Sequence, residues 1–230
     1  MVRGCGKVWK TAALLVAAAQ VAMTPLQSAQ AQSSSPSKAL ADLEKAAGEF
    51  PPRISNAELR TRTRDLVAQF RKTGDGSGLA KGLILSSMLA SRMGDPEAGL
   101  NDAKAAAEAC RRVADKACEA QALKLMGVAQ SNLGDPAAML VTNARSAALF
   151  QEVGDATSVA KVLINSANAQ SDLGDINGAL ATYRRVVDQY QVPVVQTIAA
   201  LNASYMLLRL RRFEEAKASA ELAMRFRKRG

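Results

Sequence analysis

The 230-residue chain contains no histidine and one tryptophan, and aromatic residues make up only 4% of it. Without histidine, Ser-His-Asp and Cys-His nucleophilic constellations cannot be assembled, and the commonest zinc sites lose a ligand. There is no Walker-type phosphate loop and no Gly-x-Gly-x-x-Gly after a strand. No segment alternates β-branched or aromatic residues with polar ones at a period of two, which excludes a β-sandwich. What is abundant is alanine and leucine, which lose little side-chain freedom in a helix. With 48% hydrophobic residues there is ample material for a core, so the composition reads as all-α.

The first 31 residues read as a leader. Arg3, Lys7 and Lys10 precede an apolar core from Thr11 to Met23, and Ala29-Gln30-Ala31 supplies the small-x-small pattern of a signal peptidase site. An apolar core of that length falls short of the roughly 20 residues of a spanning helix. Cys5 precedes the core, the wrong place for a lipoprotein cysteine. A cut after Ala31 and a periplasmic or secreted protein are expected. Residues 32–55 read as a serine-rich linker and a short helix from Ser37 to Gly48, which ends at the Phe50-Pro51-Pro52 break.

From there the chain repeats itself. Gly94-Asp95, Gly134-Asp135 and Gly174-Asp175 stand 40 residues apart, and Gly74-Asp75, Ala114-Asp115 and Gly154-Asp155 fall midway between them. Glycine accepts the left-handed conformation that closes a helix. The following aspartate can cap the next helix, and Pro96 and Pro136 suit the first helical position. Each mark is therefore a helix-to-helix turn between helices about 17 residues long. Phe70, Cys110, Phe150 and Tyr190 recur at the same period, as do Leu83, Leu123 and Leu163, as a stacked solenoid requires.

The pattern resembles the tetratricopeptide repeat family. Counting back from Gly94, Gly134 and Gly174 at the family's position 15, its small position 8 holds Ser87, Gly127 and Ala167. Position 20 holds Gly99, Met139 and Ala179, and position 27 holds Ala106, Ser146 and Val186. A last unit, with its turn at Arg211-Arg212-Phe213, places Ser204, Ala216 and Ala223 there. The family's aromatics at positions 4 and 11 are missing, and the period is longer than the common 34, resembling the repeats of kinesin light chains. The resemblance implies a right-handed superhelical solenoid of antiparallel helix pairs over residues 56–230. Its expected parts are half a repeat at 56–75 and repeats at about 76–115, 116–155, 156–193 and 194–230. Charged Arg225 to Arg229 would make the last unit a solubilising cap.

The resemblance also implies a peptide-binding groove on the first helix of each pair. Its candidate lining is Lys81, Ile84, Met88 and Arg92, then Gln121, Lys124 and Asn132, then Lys161, Ile164 and Asn168, and finally Tyr205 and Arg209. Lysines there suit acidic side chains or a terminal carboxylate, asparagines suit backbone, and Tyr205 suits a side-chain anchor. The expected partner is therefore a protein or peptide, with acidic segments favoured. The expectation is an adaptor in the cell envelope, with no catalysis, cofactor, metal or nucleic acid.

Three further features bear on function. Cys110 and Cys118 flank one turn almost symmetrically; they either join as a disulfide in an oxidising compartment, or Cys110 simply fills a packing slot. From Tyr205 onward eight basic residues face three glutamates. That basic tip suits an anionic membrane or another polyanion, or else complements the end of a last helix. A structural subunit of an envelope assembly is a third reading. Ser158-Val159-Ala160-Lys161 and Lys72-Thr73-Gly74 echo motifs of penicillin-recognising enzymes, but in the wrong order and without strands.

Overall fold

The computed structural model describes residues 35–229. The leader, its cut site and nearly all of the serine-rich linker lie outside the described residues. Those described form ten α-helices and no strand. The helices are α1 (Pro36–Gly48), α2 (Asn56–Thr73), α3 (Gly76–Arg92), α4 (Pro96–Arg112), α5 (Lys116–Asn132), α6 (Pro136–Glu152), α7 (Ala156–Asp172), α8 (Ile176–Gln189), α9 (Pro193–Arg209) and α10 (Phe213–Arg227). None of them is long and apolar enough to cross a membrane. The architecture is an all-α, right-handed superhelical solenoid of antiparallel helix pairs.

The turns explain the regularity. At Asp95 the backbone N–H donates to Ala90 O at 3.0 Å, closing α3, while Oδ1 accepts from Ala98 N–H at 3.1 Å, opening α4. The same double use recurs at Asp75, Asp115, Asp135, Asp155 and Asp175. One residue thus satisfies orphan groups of two helices. The residue before each aspartate must take positive φ, from 55° at Ala114 to 86° at Gly174. Glycine does this without a Cβ penalty, whereas Ala114 takes it against its preference.

The last two joints depart from this rule. Neither Val192 before α9 nor Arg212 before α10 makes a side-chain cap, and Arg211 takes φ 59° in a glycine's place. α8 is also three residues shorter than α7, which accounts for the shortened last period.

Close approach within a pair rests on small residues. Ser87 Oγ donates to Gly99 O at 2.8 Å, and Ser204 Oγ donates to Ala216 O at 2.7 Å, at equivalent places in two repeats. Gly127 occupies the same place, where an added Cβ would lie 2.5 Å from Asn143 Oδ1. Phe70, Cys110 and Phe150 are buried in their recurring slot, each large side chain contributing about 1.5–3 kcal/mol.

α1 was expected to stand ahead of half a repeat. It packs on both α2 and α3, the relation α3 bears to α4 and α5. Leu43 lies 40 residues before Leu83 and is buried like it. α1 and α2 therefore form a first full pair, giving five pairs among the described residues.

Candidate functional site

The first helix of each pair touches the next first helix, since α1 meets α3, α3 meets α5, α5 meets α7 and α7 meets α9. The second helices α2, α4, α6, α8 and α10 make no such mutual contacts. A stack whose elements are closer on one side curves toward that side. The first helices accordingly form the inner, concave wall.

The groove residues named from sequence all lie on these inner helices, but they divide by role. Ile164 is buried, and Ile84 and Met88 are half-buried, packed against core clusters. Arg92 donates from Nη1 to Ala47 O at 2.6 Å, so it ties down the C-terminal end of α1. Asn168 Oδ1 accepts from Tyr183 OH and from Asn202 Nδ2 at 3.3 Å, linking α7 to α8 and α9. These residues shape the wall more than they offer free groups.

Another set remains open. Lys81, Asn132, Lys161, Tyr205 and Arg209 are exposed, and Gln121 and Lys124 are half-buried. Lys81 borders a cleft of about 240 Å³ with Leu40, Ala41 and Glu44 of α1. Lys81, Lys124, Lys161 and Arg209 make no ion pair among the described residues. Burial pushes the Lys124 ammonium below its ordinary value, and the nearby charge of Lys161 adds to this; Asp155 opposes it. Asp155's own carboxyl is held low first by the Ser158 hydrogen bonds, then by Lys161 and Lys124. That carboxylate is already committed to capping α7. The charges of two cations from successive inner helices thus bear on one shared, occupied anion.

Carboxylates elsewhere are used structurally. Buried Glu119 accepts from Arg111 Nη2 at 3.2 Å and from Arg145 Nη2 at 2.7 Å, binding α4, α5 and α6 together. Cys110 and Cys118 form a disulfide with Cα atoms 5.5 Å apart. Cys110 is also fully buried, so bridge and packing slot coincide. The Lys72-Thr73-Gly74 segment ends α2, which does not pack on the α7 that carries Ser158 and Lys161.

Two surfaces were not found from sequence. A cleft of about 600 Å³ opens between α8 and α10, floored by Leu180, Val187, Leu207 and Leu222 and rimmed by Arg184 and Arg225. On α9, Val194, Ile198, Leu201 and Leu208 are exposed alongside Tyr205. Ile198, Leu201 and Leu208 occupy the repeat positions that supplied the other groove candidates, so extending that mapping would have found them. The last unit carries most of its exposed charges on α10, beside exposed Phe213 and Met224, and the expected cap does not extend to α9.

No protein-family model and no curated protein matches the sequence. Solved structures do match in shape. The kinesin light chain TPR-like repeats of Podosopora anserina align with TM-score 0.67 and 11% identity, over 84% of this chain and 97% of that one. The fold is of the tetratricopeptide repeat type. BtubC (BKLC) from P. vanneervenii aligns with this tetratricopeptide solenoid at TM-score 0.58 and 15% identity, over 84% and 88% of the two chains. MamA aligns at TM-score 0.51 and 15% identity, over 71% and 95%.

Proposed function

We propose that this tetratricopeptide-type chain is an exported adaptor of the cell envelope that holds an acidic segment of a partner protein in its concave groove, without catalysis. The observation that carries the reading is the pair Lys124 and Lys161. Both lack an ion-pair partner among the described residues, and the charge of Lys161 adds to burial in disfavouring the Lys124 ammonium. A ligand carboxylate placed between them relieves that repulsion and gains a charge-assisted contact. Shape alone brings only the fold from the solved structures, so the partner class rests on this electrostatic argument. Export is supported by the leader-like N-terminus and by the Cys110–Cys118 bridge, which suits an oxidising compartment.

In-cell crosslinking with mass spectrometry tests it, comparing the natural chain with one carrying Lys81→Glu, Lys124→Glu and Lys161→Glu. Specific partners should vanish from the triple variant while its helical signal and melting stay unchanged. Persistence of the same partners removes the groove from consideration.

A further inference from the structure

The exposed residues of α9 follow one another at steps of four, three, four and three: Val194, Ile198, Leu201, Tyr205, Leu208. That spacing sets them in a single stripe along the helix. In the preceding repeat two of the equivalent positions are covered by the next inner helix, while Lys161 and Asn168, the counterparts of Ile198 and Tyr205, stay exposed. Ile164, the counterpart of Leu201, is 5% exposed against 50% for Leu201. Ser171, the counterpart of Leu208, is buried and donates to Met206 Sδ of α9 at 3.0 Å. Leu201 and Leu208 thus mark a helix seat that the preceding repeat fills from within, Ile198 and Tyr205 extend it with apolar surface, and no described helix covers it.

We infer that this seat takes an amphipathic helix of a partner protein, apolar at i, i+4, i+7 and i+11 and acidic along its flanks. The charge around the seat selects that chemistry. Arg227 occupies the slot held by Phe70, Cys110, Phe150 and Tyr190 in earlier repeats, and it is exposed, as are Arg209 and Lys228. A helix entering the seat meets an apolar wall on α9 and cations on α10. A second copy of the chain is a poor occupant. The outward residues of its α1 are Ser37, Lys38, Ala41, Asp42, Glu44 and Lys45, while Leu40, Leu43 and Ala47 are buried. The seat lies on the last inner helix of the same concave wall but does not include the Lys124–Lys161 pair, so the two readings fail separately.

The test is fluorescence anisotropy with a synthetic helical peptide of roughly 18 residues, five turns long, carrying leucine at that spacing and glutamate on its flanks. The full chain is compared with Leu201→Gln/Leu208→Gln, Arg227→Gln/Lys228→Gln and Lys124→Gln/Lys161→Gln variants. The leucine pair should weaken binding about tenfold or more, as loss of central anchors does, and the cation pair should weaken it and flatten its salt dependence. The leucine pair should weaken binding equally in the Lys124→Gln/Lys161→Gln background, so that any hold of the groove pair on the acidic probe is read separately. The altered leucines are exposed, so the helical signal should survive, and Ile198→Gln/Tyr205→Gln provides a second pair. Absent binding, equal binding by the leucine variant, or equal binding of a lysine-flanked peptide overturns the inference. So does self-association of the natural chain that the leucine variant loses, which assigns the seat to a second copy. Binding to phosphatidylglycerol vesicles that the leucine variant loses assigns it to a membrane and equally overturns it.

Discussion

Buried Arg60 on α2 donates from Nη1 to Asp95 Oδ2 at 2.9 Å, so the aspartate that caps α4 is also clamped to the preceding pair. The guanidinium's hydrogen bond first, and that of Ala98 N–H second, holds the Asp95 carboxyl below its ordinary 3.8. A lowered folded value means the contribution is full above the ordinary value and is lost as pH falls through the lowered one. Asp95→Asn keeps a capping oxygen but leaves Arg60 without its anion, and Arg60 Nε and Nη2 already have no hydrogen-bond partner. Its urea midpoint should fall below that of the natural chain at neutral pH, and the gap should close in strong acid. A gap that does not change with pH would show that the charge plays no part.

The disulfide closes a loop of eight residues across one turn. Chain-entropy reasoning gives about 2.5 kcal/mol for so short a loop. Replacing Cys110 and Cys118 by alanine should lower the unfolding free energy by that amount, plus a smaller loss from the Cys110 slot. Reducing agent should shift the natural chain in the same direction and leave the double variant unmoved.

Gly127→Ala places a methyl against fully buried Asn143, whose Nδ2 donates to Ser166 Oγ at 3.2 Å. The asparagine must move, and overpacking of this kind costs about 1–3 kcal/mol. Denaturant titration should show that loss even though alanine is the better helix former. An unchanged or raised midpoint would mean that α5 and α6 can separate freely.

Lys124 links stability to binding. Because its ammonium is disfavoured in the fold, the cost is present below its lowered value and is relieved as pH rises through it toward 10.5. Lys124→Met should therefore raise the melting temperature at neutral pH, with the advantage shrinking in alkali. The same variant should weaken an acidic groove peptide roughly tenfold, the ~1.5 kcal/mol of a charge-assisted contact. A destabilised variant would reverse the reading of Lys124 as a strained group.

The turns were legible because each is local chemistry: a left-handed residue followed by a capping aspartate, repeated along the chain. The membership of α1 in the first pair was harder to read. The link from Gly48 to Asn56 carries Pro51-Pro52 and no Gly-Asp mark, so apart from Leu43 standing 40 residues before Leu83 it is packing on α2 and α3 that reveals it. The α9 stripe was hidden for another reason. Ile198 and Leu201 on a helix read as core, yet Ile198 takes a position that is open in earlier repeats and Leu201 lacks a covering helix among the described residues. Arg92 and Asn168 looked like free groove groups because their partners, Ala47 O and Tyr183 OH, lie 45 and 15 residues away.

The uncapped joints before α9 and α10 make the molecule directional. Six turns are bolted by aspartates that serve two helices at once, whereas neither of these two has a capping side chain. Amide hydrogens of α9 and α10 should exchange fastest, and mechanical unravelling should begin there and travel toward the amino terminus. A helix seated on α9 would then brace the weakest link of the array, and protection gained there would report occupancy before any distant repeat responds.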